Sequence, residues 1–130
     1  MAPDDALVAN ELVQVLVGQP FTQLRVRVGD AQLLFAGELL VSLEAPARVG
    51  DAGVAGVITY GLDGLSLLVP LLGGDVTEAA VSDRGELAVT IGGTTVRCAG
   101  TPDYEAWTFN APTGELVVCT PGGLAIWGPR

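Results

Sequence analysis

Two stretches decide the fold: Leu12-Val13-Gln14-Val15-Leu16-Val17-Gly18-Gln19-Pro20-Phe21-Thr22-Gln23-Leu24-Arg25-Val26 and Leu67-Leu68-Val69-Pro70-Leu71-Leu72-Gly73-Gly74-Asp75-Val76-Thr77-Glu78-Ala79-Ala80-Val81. At a shift of 55 residues, Gly18 onto Gly73, they share Leu12/Leu67, Leu16/Leu71, Gly18/Gly73, Thr22/Thr77 and Val26/Val81. That is five identities in 15 positions, where so biased a composition gives about one or two by chance. Val13/Leu68, Val17/Leu72, Phe21/Val76 and Leu24/Ala79 are apolar in both. The likeness predicts one unit used twice, at about 11–44 and 66–98.

Each unit reads as a meander. From Phe21 apolar residues alternate with polar ones: Leu24, Val26 and Val28 on one side, Arg25 and Arg27 on the other. Gly29-Asp30 offers a turn, Leu33 and Phe35 continue, Gly37-Glu38 turns again, and Leu39, Val41 and Leu43 follow. In the second unit Asp83-Arg84-Gly85 and Gly92-Gly93 turn, and Leu87, Val89, Ile91, Val96 and Cys98 alternate, with a one-residue slip that matches Leu33 and Phe35 to Leu87 and Val89 before the register recovers at Val41 and Val96. Residues 6–17 fit a short helix and 65–72 a compact apolar segment. Residues 45–53 read as loop, 54–60 as strand, and 104–127 as a C-terminal hairpin through Pro121-Gly122-Gly123. A three-stranded meander with one apolar face does not bury that face alone. The expectation is therefore one mainly β domain over 1–130: a compact sandwich or partly open barrel made of two meanders, with one or two short helices.

Composition narrows the chemistry. With 49% hydrophobic residues the chain has enough apolar surface for a core without staples. Fifteen acidic groups face six basic ones, all arginine, for a net charge of −9, with no Lys and no His. Such a chain repels phosphate backbones, which argues against nucleic acid, and attracts a basic protein. No apolar run approaches the ~20 residues that span a bilayer, and the acidic start Met1-Ala2-Pro3-Asp4-Asp5 is unlike a signal peptide. The cytoplasm is the expected compartment, with no membrane partner. Cys98 and Cys119 read as buried free thiols.

No residue set reads as catalytic or metal-binding, and no cofactor is expected. Without His, neither a Ser nor a Cys has its usual general base. The glycine pairs at 73–74, 92–93 and 122–123 lack the context of a phosphate loop. The most distinctive segment is Pro102-Asp103-Tyr104-Glu105-Ala106-Trp107, followed by Pro121-Gly122-Gly123 and Trp127. The two Trp residues suit core anchors, given only 5% aromatics. Asp103 and Glu105 suit solvated charges better than an acid–base pair. This Tyr-Glu-x-Trp, Pro-Gly-Gly and late Trp signature, with Gly18/Phe21 and Gly73/Val76 before it, resembles a family of small actinobacterial proteins of unknown function. The resemblance implies a fold and no activity.

Two functions are in view. The first is a non-enzymatic acidic interaction protein, such as an immunity-type inhibitor of a basic toxin or an accessory protein. Its contacts would be the loop residues Asp51, Asp63, Asp83, Asp103 and Glu105. The alternative is a small-molecule-binding sandwich or barrel using Arg97, Tyr104 and Trp107. A homodimer is compatible with both.

Overall fold

In the computed structural model of the chain the described residues are 3–50, 56–59 and 64–128. The helix α1 covers Pro3–Leu12, with Asp4 and Asp5 in the first turn where carboxylates complement the helix dipole. It is earlier and shorter than the 6–17 expected. The β-branched Val13 and Val15 tighten the chain into a 3₁₀ turn over Val13–Leu16. Ala6, Ala9, Val13 and Leu16 are buried at spacings of three and four, while Leu7 and Val8 face outward. Residues 65–72 likewise form two single 3₁₀ turns, Leu65–Leu67 and Val69–Leu71.

Eleven strands among the described residues form two antiparallel sheets, giving a mainly β, sandwich-like fold with no closed barrel. The six-stranded sheet runs β1 (Phe21–Arg27), β2 (Asp30–Phe35), β3 (Leu39–Leu43), β9 (Trp107–Asn110), β10 (Leu116–Thr120), β11 (Gly123–Trp127). The five-stranded sheet runs β5 (Gly56–Ile58), β4 (Ala47–Gly50), β8 (Thr94–Cys98), β7 (Leu87–Ile91), β6 (Val76–Val81). Each meander is thus the heart of a different sheet, and the two cover each other. The strand after each meander changes sheets. β4 leaves β3 to pair with β8, Ala47 opposite Cys98. β9 leaves β8 to pair with β3, Trp107 opposite Leu43.

The two meanders share one backbone plan. β1 carries a register shift between Phe21 and Gln23, and β6 carries one between Val76 and Glu78. Val26 pairs with Ala31 and Val81 with Leu87, one residue further apart in the second meander. Phe35 pairs with Leu39 and Ile91 with Thr94, one residue closer. The slip is one residue, but opposite in sense to the match of Leu33 and Phe35 with Leu87 and Val89: the structure places them with Val89 and Ile91, one loop lengthened and the next shortened.

Hydrogen bonds between the meanders obey the 55-residue shift in both directions. Gly18 N–H donates to Val76 O (2.7 Å) and Gly73 N–H to Phe21 O (2.8 Å). Phe21 N–H donates to Gly74 O and Val76 N–H to Gln19 O, both at 2.9 Å. Pro20 and Asp75 form the bridge between them. This is local twofold symmetry inside one chain. It needs Gly18 and Gly73 at φ near +89°, where an L side chain is strained.

The core lies between the sheets. Leu33, Val41, Phe109 and Val117 face Val89, Val96, Val49 and Ile91, and Phe21 packs at 5.5 Å from Phe35. Trp107 is 0% exposed, and its indole Nε1–H donates to Gly85 O (3.0 Å) in the β6–β7 loop of the opposite sheet. The free edge of β6 is covered by side chains before the first meander. Asn10 Oδ1 accepts from Val81 N–H (2.9 Å), and Gln14 Nε2 donates to Ala79 O (2.6 Å).

Segment 45–53, read as loop, contains β4. Strand 54–60 is found as β5 over Gly56–Ile58, its remaining ends at 54, 55 and 60 lying outside the described residues. Strand formation begins at Trp107, not at Tyr104.

Candidate interaction surfaces

The loops at one end of the sandwich carry most of the sequence-predicted contacts. Asp83 is exposed in the β6–β7 loop, and Asp103 and Glu105 are exposed in the segment leading into β9. The Trp107–Gly85 bond holds these two loops against each other. Backbone bonds fix the approach of residues 99–106: Ala106 N–H donates to Cys119 O (3.0 Å), and Glu44 N–H donates to Ala106 O (2.8 Å). Thr101 Oγ1 accepts from Asp103 N–H at 3.0 Å. Glu44, half-buried at the end of β3, joins the group. Burial first, then Glu105 and Asp30 beside it, push its carboxyl above the ordinary 4.5. Asp30 itself is buried and gripped by Arg27 Nε and Nη2 at 2.9 and 2.7 Å. Asp51 and Asp63, also predicted contacts, lie outside the described residues.

The predicted ligand-contact trio is not assembled. Trp107 is sealed in the core, Arg97 sits on the outer face of the five-stranded sheet 3.8 Å from Glu86, and Tyr104 is part-exposed on the loop end. An open cleft of about 310 Å³ on that end is lined instead by Arg84, Thr101, Pro102, Cys119 and Thr120, with glycines. Trp127 corrects a second reading. It is 48% exposed, because its position on β11 points it away from the core.

Cys98 and Cys119 are free and buried. Cys98 Sγ points at Ala106 O (3.6 Å) and Ala45 O (3.9 Å), and burial pushes its thiol up to about 12. Burial raises Cys119 as well. Burial thus disfavours the thiolate of both at neutral pH. Among the described residues no group of three His, Cys, Asp or Glu side chains is placed to hold a metal ion. No helix of the described residues is long and apolar enough to cross a membrane.

The second surface was not anticipated. Strand pairing lines up Leu34, Leu40, Asn110, Leu116 and Trp127 across β2, β3, β9, β10 and β11 on the outer face of the six-stranded sheet. The neighbouring row reads Arg25, Gln32, Ser42, Thr108, Val118 and Ala125. Gln32 and Ser42 are buried polar residues joined by a 3.3 Å hydrogen bond, and Arg25 Nη1 reaches Gln32 Oε1 at 3.4 Å.

Fold and surfaces together define a two-sheet antiparallel sandwich with an acidic loop end and a broad, part-apolar sheet face. Residues 12–128 match the family of unknown function DUF6188, and the chain belongs to that family. No curated protein and no solved structure matches the chain.

Proposed function

We propose that the chain is a non-enzymatic interaction protein that binds a basic partner at the loop end carrying Glu44, Asp83, Asp103 and Glu105. An immunity-type inhibitor of a basic toxin and an accessory protein both act in this way. The supporting observation is Glu44, whose carboxyl is raised first by burial and then by the like charges of Glu105 and Asp30. A folded chain that holds carboxylates close enough to repel one another gains energy when a partner's cation enters among them. The net charge of −9 speeds the encounter, and the backbone bonds of Ala106 and Thr101 hold the loop in place beforehand.

The test is affinity capture from the native host at about 50 mM and 500 mM salt, beside the triple variant D83N/D103N/E105Q. A basic protein retained at low salt, released at high salt and missed by the variant supports the reading. A captured set unchanged in the variant, or no basic protein at low salt, overturns it.

A further inference from the structure

We infer that the outer face of the six-stranded sheet is the interface of a homodimer. The chain supplies its own control. Leu34 and Leu40 are a cross-strand pair on that face. The pair at the same place in the second meander is Thr90 and Thr95, whose hydroxyls share a 2.8 Å hydrogen bond. Ser42 likewise corresponds to Arg97, which with Arg48 brackets Glu86 in an ion-pair cluster on the outer face of the five-stranded sheet. The same scaffold therefore carries a solvated face on one sheet, with hydroxyls and ion pairs. On the other it carries Leu34, Leu40, Leu116, Val118, Ala125 and Trp127. None of these six belongs to the core cluster of the described residues. Val118 is only 8% exposed, and Gln32 and Ser42 in the same row are 5% exposed, so the side chains of this face already shield one another in a mixed layer. A part-apolar face of this breadth marks an association surface.

Charge selects a second copy as the occupant. The chain is at −9, yet the strands of this sheet carry only three charged residues, Arg25, Arg27 and Asp30, the last two paired with each other. Two copies meet there without the repulsion that opposes contact elsewhere. A twofold axis running along the strands lays β1 of one copy over β11 of the other. The row of Arg25 then faces Ala125 and Trp127 rather than its own counterpart. Six strands about 4.8 Å apart and about five residues long present roughly 500 Å² per copy. The pair thus reaches about 1,000 Å², the lower bound for specific association. Two such sheets packed face to face repeat the geometry of a β-sandwich interior.

Sedimentation equilibrium over about 1 μM to 1 mM decides the matter, comparing wild type with L34T/L40T. This variant writes the second meander's own residues into the first, on a scaffold that already accepts them. The expected result is a wild-type dimer and at least tenfold weaker association in the variant. Acrylamide quenching of Trp127 on dilution of the wild type gives a second readout that needs no variant, since Trp107 is sealed. Quenching rises as the dimer dissociates. A wild type monomeric at 1 mM overturns the inference and leaves the face to a different protein. A dimer indifferent to L34T/L40T overturns it too, as does a mass that halves on dilution with Trp127 quenching constant.

Discussion

Replacing Trp107 by alanine removes the largest side chain of the core at the seam between the sheets. The residue is 0% exposed and donates its indole N–H to Gly85 O. Deleting a fully buried aromatic side chain costs about 3–5 kcal/mol, from lost transfer energy and the cavity left behind. Stranding the Gly85 carbonyl adds to this, since its other donor is the weak Cys119 Sγ at 3.7 Å. At about 2.1 cal/mol/K per residue, unfolding 130 residues carries roughly 0.27 kcal/mol/K of entropy. A loss of about 4 kcal/mol then lowers Tm by roughly 15 °C. Trp107→Phe keeps most of the volume and loses the donor, so a loss of about 2 kcal/mol is expected. Trp127→Ala, at a position 48% exposed, should cost less than about 1 kcal/mol in dilute monomer. Urea and thermal denaturation followed by far-ultraviolet circular dichroism measure all three. Equal losses for the two alanine variants, or a Trp107→Ala protein within about 3 °C of wild type, would refute the placement of Trp107 as the tie between the sheets.

Three more outcomes follow from the same contacts. Glu44 is held above its ordinary 4.5, so its ionised form is disfavoured in the fold; Glu44→Gln should raise Tm at pH 7 and make no difference below about pH 4, where the carboxyl is protonated in both states. Cys98 ionises near 9.0 when unfolded and only near 12 when folded. Between those values the unfolded chain releases a proton that the native chain keeps, so this thiol should cost the protein about 1.4 kcal/mol of stability per pH unit above 9, absent in Cys98→Ala. Gly18→Ala and Gly73→Ala meet no atom within 4 Å but hold φ near +89°, so each should cost about 1–2 kcal/mol through backbone strain alone; a neutral result at either site in denaturant titration would contradict the symmetric bridge.

Much of the architecture was legible because it rests on local pattern. Period-two alternation from Phe21 to Leu43 and from Val76 to Cys98 marks six strands, and Gly37-Glu38 and Gly92-Gly93 mark their turns. What escaped depends on distant partners. Ala47-Arg48-Val49-Gly50 carries two small residues and a charge, and it is a strand because β8 offers an edge to pair with. Trp107 and Trp127 look alike in sequence, and only the register of β9 and β11 sends one inward and the other out. The apolar outer face did leave a signal. Leu33-Leu34 and Leu39-Leu40 place leucines on both parities of neighbouring strands, as expected where both sides of a sheet are covered. The carboxylate loops were legible as types, since Asp83, Asp103 and Glu105 sit in turn-like segments. Their convergence with Glu44 was not, because Glu44 reads as the polar side of a strand.

The exchange of β4 and β9 between the sheets bears on how the chain acquires its structure. Fragment 1–58 would hold three strands of the six-stranded sheet and a lone pair of the other, and fragment 65–130 three strands of each, so cutting the chain strips β3 of β9 and β8 of β4 and leaves both halves with incomplete sheets. Contacts such as Ala47 with Cys98 and Leu43 with Trp107 join residues more than fifty positions apart. Folding must close these long loops before burial compensates, which places the protein among slow, high-contact-order folders. The halves should remain unfolded when expressed singly and regain native circular dichroism only when mixed. The internal likeness of the chain therefore does not make it modular: it is two similar units that exist only interlocked.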